Sequence, residues 1–372
     1  MRHPPPDVEK YVELWNDAQS QQHTNRMPSQ MNETAISSLN QMDERNWTWS
    51  IVRQRSRVFV SLVMACALAI LLGGREIPAA LDDENYLIYA TISSEVFQAK
   101  LHDSPLFELF FEEPVWLLLN ALLANYFEAE GVVRLFIGGS ALISLVSIAR
   151  LVNWNVFACL MYFAFPMTLV PFVTHLRQGV AIAVMLFFLA FVSRRIVLGA
   201  VFAATIHSSF VPVAILIAAD QSAFIKKSAA KISAWVAFIC WAGLMVLAPL
   251  FLRDITGWLG DRRVDEYGFG IEQSATGLGF LLWLVFVTIL YLGRRPLVTS
   301  SWRIAILVVT LYLGWYFFLE VGSRVLTSAL IFVWLAGTGL KSNYRNAFLI
   351  LWGIGGAYIW VNQFDKSTLY GF

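Results

Sequence analysis

The sequence predicts an all-α polytopic membrane protein with about 9–11 transmembrane helices, one or two of them broken or re-entrant. Three observations carry that expectation. The 372 residues are 58% hydrophobic, 15% aromatic and only 14% charged, with a mean hydropathy of +0.60, a balance that soluble domains do not show. Uncharged runs near the length a bilayer demands succeed one another from residue 58 onward. Polar residues or prolines interrupt a few of these runs, the pattern of a helix broken at membrane depth.

Residues 1–56 stand apart. Pro4-Pro5-Pro6, Gln19-Ser20-Gln21-Gln22 and few aliphatic residues describe a polar, disordered tail. It is no secretory signal, because the first apolar run starts near Val58. Arg45, Arg53, Arg55 and Arg57 before that run place the amino terminus in the cytoplasm. Residues 57–372 then form a single integral membrane domain. Its apolar segments are 58–74, 114–127, 132–149, 151–173, 178–193, 196–218, 232–252, 275–293, 303–320, 324–340 and 346–362.

Positive loops orient these segments. If all of them cross, Arg150 and Arg194-Arg195 fall outside while Lys226-Lys227-Lys231, Arg294-Arg295-Arg303 and Lys341-Arg345 fall inside. The conflict vanishes if two segments do not cross. Residues 114–127 are short and headed by Pro114; residues 196–218 are interrupted by His207-Ser208-Ser209 and Pro212. In the resulting nine-span arrangement Arg177 faces the outer side together with the 75–113 loop.

The net charge of +1 gives no global field for nucleic acid or acidic partners, so electrostatic function rests on local placement. Cys66, Cys159 and Cys240 each sit in an apolar run without metal or disulfide spacing. Arg177-Gln178 lies between two uncharged stretches, where charge is expensive and an arginine marks an anion site. In the outer loop, Asp82-Asp83-Glu84 with Tyr86 and Tyr89 suits sugar binding or a solvated acidic face, with a divalent ion as a minor reading. Glu113 before Pro114 reads equally as a helix-dipole partner and as a functional carboxylate. His207, the one histidine well inside an apolar run, coincides with a suspected helix break. Glu320 and Arg324, four apart, permit a simple ion pair, though Arg324 falls on the same side as Arg177.

Taken in order, Tyr86 with its acidic neighbours, Glu113-Pro114-Val115-Trp116, Arg177-Gln178 and Ala204-Thr205-Ile206-His207-Ser208-Ser209 resemble the signature of the EpsG family of Wzy-like polysaccharide polymerases. The resemblance covers roughly residues 58–340, and the ordered set is more specific than any of its motifs. The long amino-terminal tail departs from the family pattern.

The resemblance implies a GT-C-like enzyme of the bacterial inner membrane that joins oligosaccharide repeat units carried on polyprenyl (undecaprenyl) diphosphate at the outer face, in exopolysaccharide, O-antigen or capsule biosynthesis. It works without a nucleotide sugar, and no cofactor, metal or nucleic acid is expected. Partners are the lipid-linked oligosaccharide, the bilayer and a chain-length regulator. On this reading Arg177 and Arg324 bind the diphosphate, whose oxygens match the arginine fork, and Gln178 orients it or the sugar. Glu113 or His207 is the general base, and Asp82, Asp83, Tyr86 and Tyr89 contact sugar. A secondary transporter or flippase is the alternative from another class, because broken helices serve transport too, although the two halves show no matched repeats. A membrane acyltransferase would use His207 but leave the outer arginines idle.

Overall fold

The computed structural model describes residues 54–80, 82–103, 113–222, 277–295, 299–317 and 321–364. The helices belong to the unit Arg57–Phe372; of the other unit, Met1–Ser56, only residues 54–56 are described. The tail expected over 1–56, its last three residues apart, the apolar segment 232–252, the Lys226-Lys227-Lys231 cluster and Glu320 lie outside the described residues. Every regular element among the described residues is a helix, and the protein is an all-α polytopic membrane protein.

Helices α1 (Gln54–Gly73) and α4 (Ala129–Leu151) are each long and apolar enough to cross a bilayer. Between them lie α2 (Asp83–Asp103) and α3 (Pro114–Ala124). Eleven residues reach only about 16 Å, half a hydrocarbon core, so α3 does not span. Arg134 of α4 donates to the Gly73 and Arg75 carbonyls at 2.9 and 2.7 Å, which puts the start of α4 beside the end of α1.

The apolar stretch 151–173, expected as one helix, is instead α5 (Val156–Phe163) and α6 (Pro166–Val173), bent by 72°. The residue before a proline avoids the helical region, so Pro166 breaks the run at Phe165, which is extended. The break frees two carbonyls. Phe165 N–H bonds Tyr162 O and Thr168 N–H bonds Phe165 O, leaving Met161 O and Ala164 O without helical donors. The indoles of Trp352 and Trp360 fill both vacancies, at 2.9 and 2.8 Å, from helix α13 (Ser342–Phe364). Such a broken segment is stable in a membrane only when protein donors replace the missing water.

After α6 come α7 (Leu176–Phe191), a 3₁₀ turn at Ser193–Arg195, α8 (Ile196–Ala204) and α9 (Phe210–Gln221). Then follow α10 (Gly277–Leu292), α11 (Ser300–Trp315) and α12 (Val321–Thr338). Their ends sort into two groups. Arg75 donates to Val173 O and Gln178 to Arg324 O, so the ends of α1 and α6 and the starts of α7 and α12 share one end. Arg150 donates to Ala190 O, marking the opposite end. Helix α12 packs back along α11 with Gly322 against Trp315, so α11 begins at that opposite end.

There Asp220, in the last turn of α9, pairs with Ser300 and Arg303. Helix α8 therefore leaves the Arg150 end and α9 returns to it, a re-entrant hairpin whose apex is 205–209. The core joins α10, α12 and α13 to the α5–α6 break through Trp283, Phe286, Trp334, Phe348, Trp352 and Phe165.

Candidate functional site

The candidate residues gather at the end that Arg75 marks. Arg75 and Asp83 form a pair with both side chains at 0% exposure, Nη1 and Nη2 each 2.6 Å from a carboxylate oxygen. The amides of Ala79 and Ala80 donate to the same carboxylate at 2.9 Å. Burial alone would raise the Asp83 pKa, but the Arg75 hydrogen bonds and the two amides outweigh it and hold the carboxyl below its ordinary value. Asp83 is thus corrected from a sugar contact to a structural clamp, since a carboxylate saturated inside protein reaches no ligand. The acidic stretch expected as loop is the first turn of α2, where Asp83 and Glu84 also suit the helix dipole. No three His, Cys, Asp or Glu among the described residues converge on a metal position.

The clamp sets the register of α2, and one turn on, Tyr86 and Tyr89 share a face. Tyr86 is buried, edge-on to Trp116 at 5.8 Å, and lies within electrostatic reach of Arg177. Burial pushes its phenol up to about 12 against the pull of Arg177, so it stays protonated. The ring of Tyr89 lies 5.5 Å from the Arg177 guanidinium carbon.

Arg177 itself pairs with Glu113, Nη1 to Oε2 at 2.5 Å, with side chains 20% and 4% exposed. Its Nε is buried without a partner. Glu113 takes φ 56° and ψ 53°, a left-handed conformation that costs a non-glycine residue about 1–2 kcal/mol. Its side chain makes no cap hydrogen bond. Glu113 stands at the N-cap of α3, as the helix-terminal reading expects, and its carboxylate pairs with Arg177 rather than with the first-turn amides.

Gln178 is buried and donates to Arg324 O at 2.8 Å and to Ser328 Oγ at 3.0 Å. Its amide nitrogen holds α7 to α12, which makes it a strut beneath Arg324. Among the described residues no carboxylate pairs with Arg324, the half-buried cation near the same end.

His207 occupies the apex of the α8–α9 hairpin. The Thr205 carbonyl released there accepts from Val115, the first N–H of α3 after Pro114, at 3.3 Å. Ser209 Oγ lies 2.7 Å from His207 Nδ1 and 2.8 Å from Ser328 Oγ. The backbone N–H of Ser209 also donates to Nδ1 at 3.2 Å. A backbone amide can only donate, so Nδ1 accepts and the neutral ring carries its proton on Nε2. In that tautomer His207 offers a hydrogen-bond donor rather than a base.

The residues of the ordered motifs thus meet in one network, running Tyr86–Arg177–Glu113 across α2, α7 and α3, and Gln178–Ser328–Ser209–His207 across α7, α12 and the hairpin apex. A family profile, that of the EpsG family, matches residues 58–370, most of the chain. The chain belongs to the EpsG family.

EpsG-type proteins are polysaccharide polymerases, and the family places this chain in a membrane and in exopolysaccharide synthesis. No curated protein and no solved structure matches the chain. In this EpsG-family chain the sequence reading missed Ser209, Ser328, Arg75 and His175. Ser209 lies inside a motif already noted for His207, two residues away. Arg75 carried a signal as well, an arginine directly after an apolar run with an acidic cluster eight residues on. Ser328 carried none, being one serine within an apolar helix.

Proposed function

We propose that this protein polymerises oligosaccharide repeat units carried on polyprenyl diphosphate, by glycosyl transfer at the outer face of the bacterial cytoplasmic membrane. The observation that carries the proposal is the convergence of Arg177, Arg324, Tyr86, Tyr89, Glu113 and His207 at one end of the helices. Transfer from a lipid diphosphate needs cations at the leaving group, donors for its oxygens, and aromatic and polar surface for sugar.

Arg177 and Arg324 would stabilise the departing diphosphate, with electrostatic help largest where water is excluded. Arg177 reaches it through Nε and the edge not held by Glu113, which keeps the guanidinium aligned before substrate arrives. His207 would donate through Nε2 to a phosphate or sugar oxygen. Tyr89, half-buried beside Arg177, offers a face to sugar, and the re-entrant hairpin and short α3 line the cavity as broken helices do elsewhere.

The test uses purified protein with lipid-linked repeat unit. Elongation by the wild type, lost in Arg177→Ala and His207→Ala while both remain in the membrane, is the expected result. Translocation of the lipid without a new glycosidic bond would replace polymerisation with transport, and normal chain lengths in both variants would overturn the site.

A further inference from the structure

His175 and Asp82 form a second polar pair beside Arg177, His175 Nδ1 lying 3.2 Å from Asp82 Oδ2. Their side chains are 41% and 32% exposed, open to water yet shielded on one side. A carboxylate can only accept, so Nδ1 carries a proton and the second ring nitrogen of the neutral imidazole holds a lone pair. This is the opposite tautomer to that of His207, whose Nδ1 is the acceptor. With Glu113 bound to Arg177 and His207 a donor, neither carboxylate nor ring expected as the base is set up to take a proton.

The pair is also built rather than incidental. Asp82 directly precedes Asp83, and His175 follows Val173 by two residues. The single buried guanidinium of Arg75 holds both arms, through Asp83 at 2.6 Å and the Val173 carbonyl at 3.0 Å. An exposed histidine–carboxylate pair on a mobile loop has little energetic worth; this one is held by backbone locked to a buried ion pair. His175 lies two residues before Arg177, and the Asp82 charge reaches Tyr86, so the pair borders the proposed diphosphate site.

We propose that His175, oriented by Asp82, is the general base that deprotonates the acceptor sugar hydroxyl, an assignment that rests on the polymerase reading. The acceptor oxygen attacks the anomeric carbon of the donor sugar as its proton passes to His175 Nε2. The bond from that carbon to the diphosphate oxygen breaks, and the polyprenyl diphosphate departs with the electron pair beside Arg177 and Arg324. Asp82 stabilises the imidazolium, which returns its proton to water or to the diphosphate, closing the balance.

The experiment measures elongation of lipid-linked repeat unit by the full chain in nanodiscs. His175→Ala should lower kcat by ~10²–10⁴-fold with KM changed only a few-fold, the range of a positioned acid–base group. Millimolar imidazole in the buffer should restore part of that turnover, and Asp82→Asn should lower kcat at least ~10-fold by releasing the tautomer. A kcat within about threefold of wild type in His175→Ala overturns the assignment. So does loss of turnover that comes with a lowered melting midpoint and no imidazole rescue, which marks a purely structural residue. A wild type that binds the lipid-linked donor but never elongates it overturns the polymerase reading itself, a result distinguishable from either.

Discussion

Breaking the Arg75–Asp83 clamp with Asp83→Asn changes one atom type and keeps the shape. The carboxylate accepts four hydrogen bonds, two from the guanidinium at 2.6 Å and two from the Ala79 and Ala80 amides at 2.9 Å. An amide in its place must turn its NH₂ toward either the guanidinium or the backbone donors. Because Oδ2 takes Nη1 and both amides while Oδ1 takes only Nη2, even the better orientation sets the NH₂ against Nη2, and the buried Arg75 charge is left uncompensated. Removing one partner of a buried pair costs about 3–5 kcal/mol. At roughly 2–4 °C per kcal/mol for a large domain, the melting midpoint should fall by on the order of 10 °C.

Scanning fluorimetry in detergent reads that shift, and the double variant Arg75→Met with Asp83→Leu should recover at least half of it, because an apolar pair carries no desolvation penalty. A midpoint unchanged in Asp83→Asn, or a double variant worse than the sum of the single ones, would refute the clamp.

Two further outcomes follow from the same geometry. Because the Asp83 pKa is lowered in the folded state, its stabilisation is complete above the ordinary value of 3.8 and disappears as pH falls through the folded value; the advantage of wild type over Asp83→Asn should therefore be flat from neutral pH to about 4 and shrink below it in acid melting curves. Gly179→Ala should destabilise by about 1–3 kcal/mol or more, since a Cβ there would stand 2.5 Å from the Pro171 carbonyl oxygen, and backbone cannot swing aside as a side chain can; equal melting midpoints for the two proteins would contradict that close approach of α6 and α7.

How much was legible in advance depended on range. Composition and uncharged run length determined the class, because a bilayer imposes length and apolarity locally on each helix. Proline and polar interruptions located the hairpin apex at 205–209 and the short α3, and Pro166 carried the same signal for the α5–α6 break, which the uncharged run 151–173 concealed. Arg177, Gln178, Glu113, Tyr86, Tyr89 and His207 stood out singly as polar groups in costly positions, and the tertiary structure brought them together.

Roles were another matter, since a role is set by what occupies the other lone pairs and protons. Asp83 and its neighbour Asp82 are the same residue type in sequence. One is sealed against Arg75 and the other faces His175. Glu113 and His207 looked like bases, yet a salt bridge takes the first and a single backbone N–H fixes the tautomer of the second.

The sequence by itself determined that this is a helical membrane protein carrying an ordered set of polar motifs. Only the tertiary structure decided which carboxylate pairs with Arg177, which histidine faces Asp82, and which carboxylate is scaffold. Hydrogen bonds between residues 60 to 150 positions apart leave no periodicity in the chain to announce them.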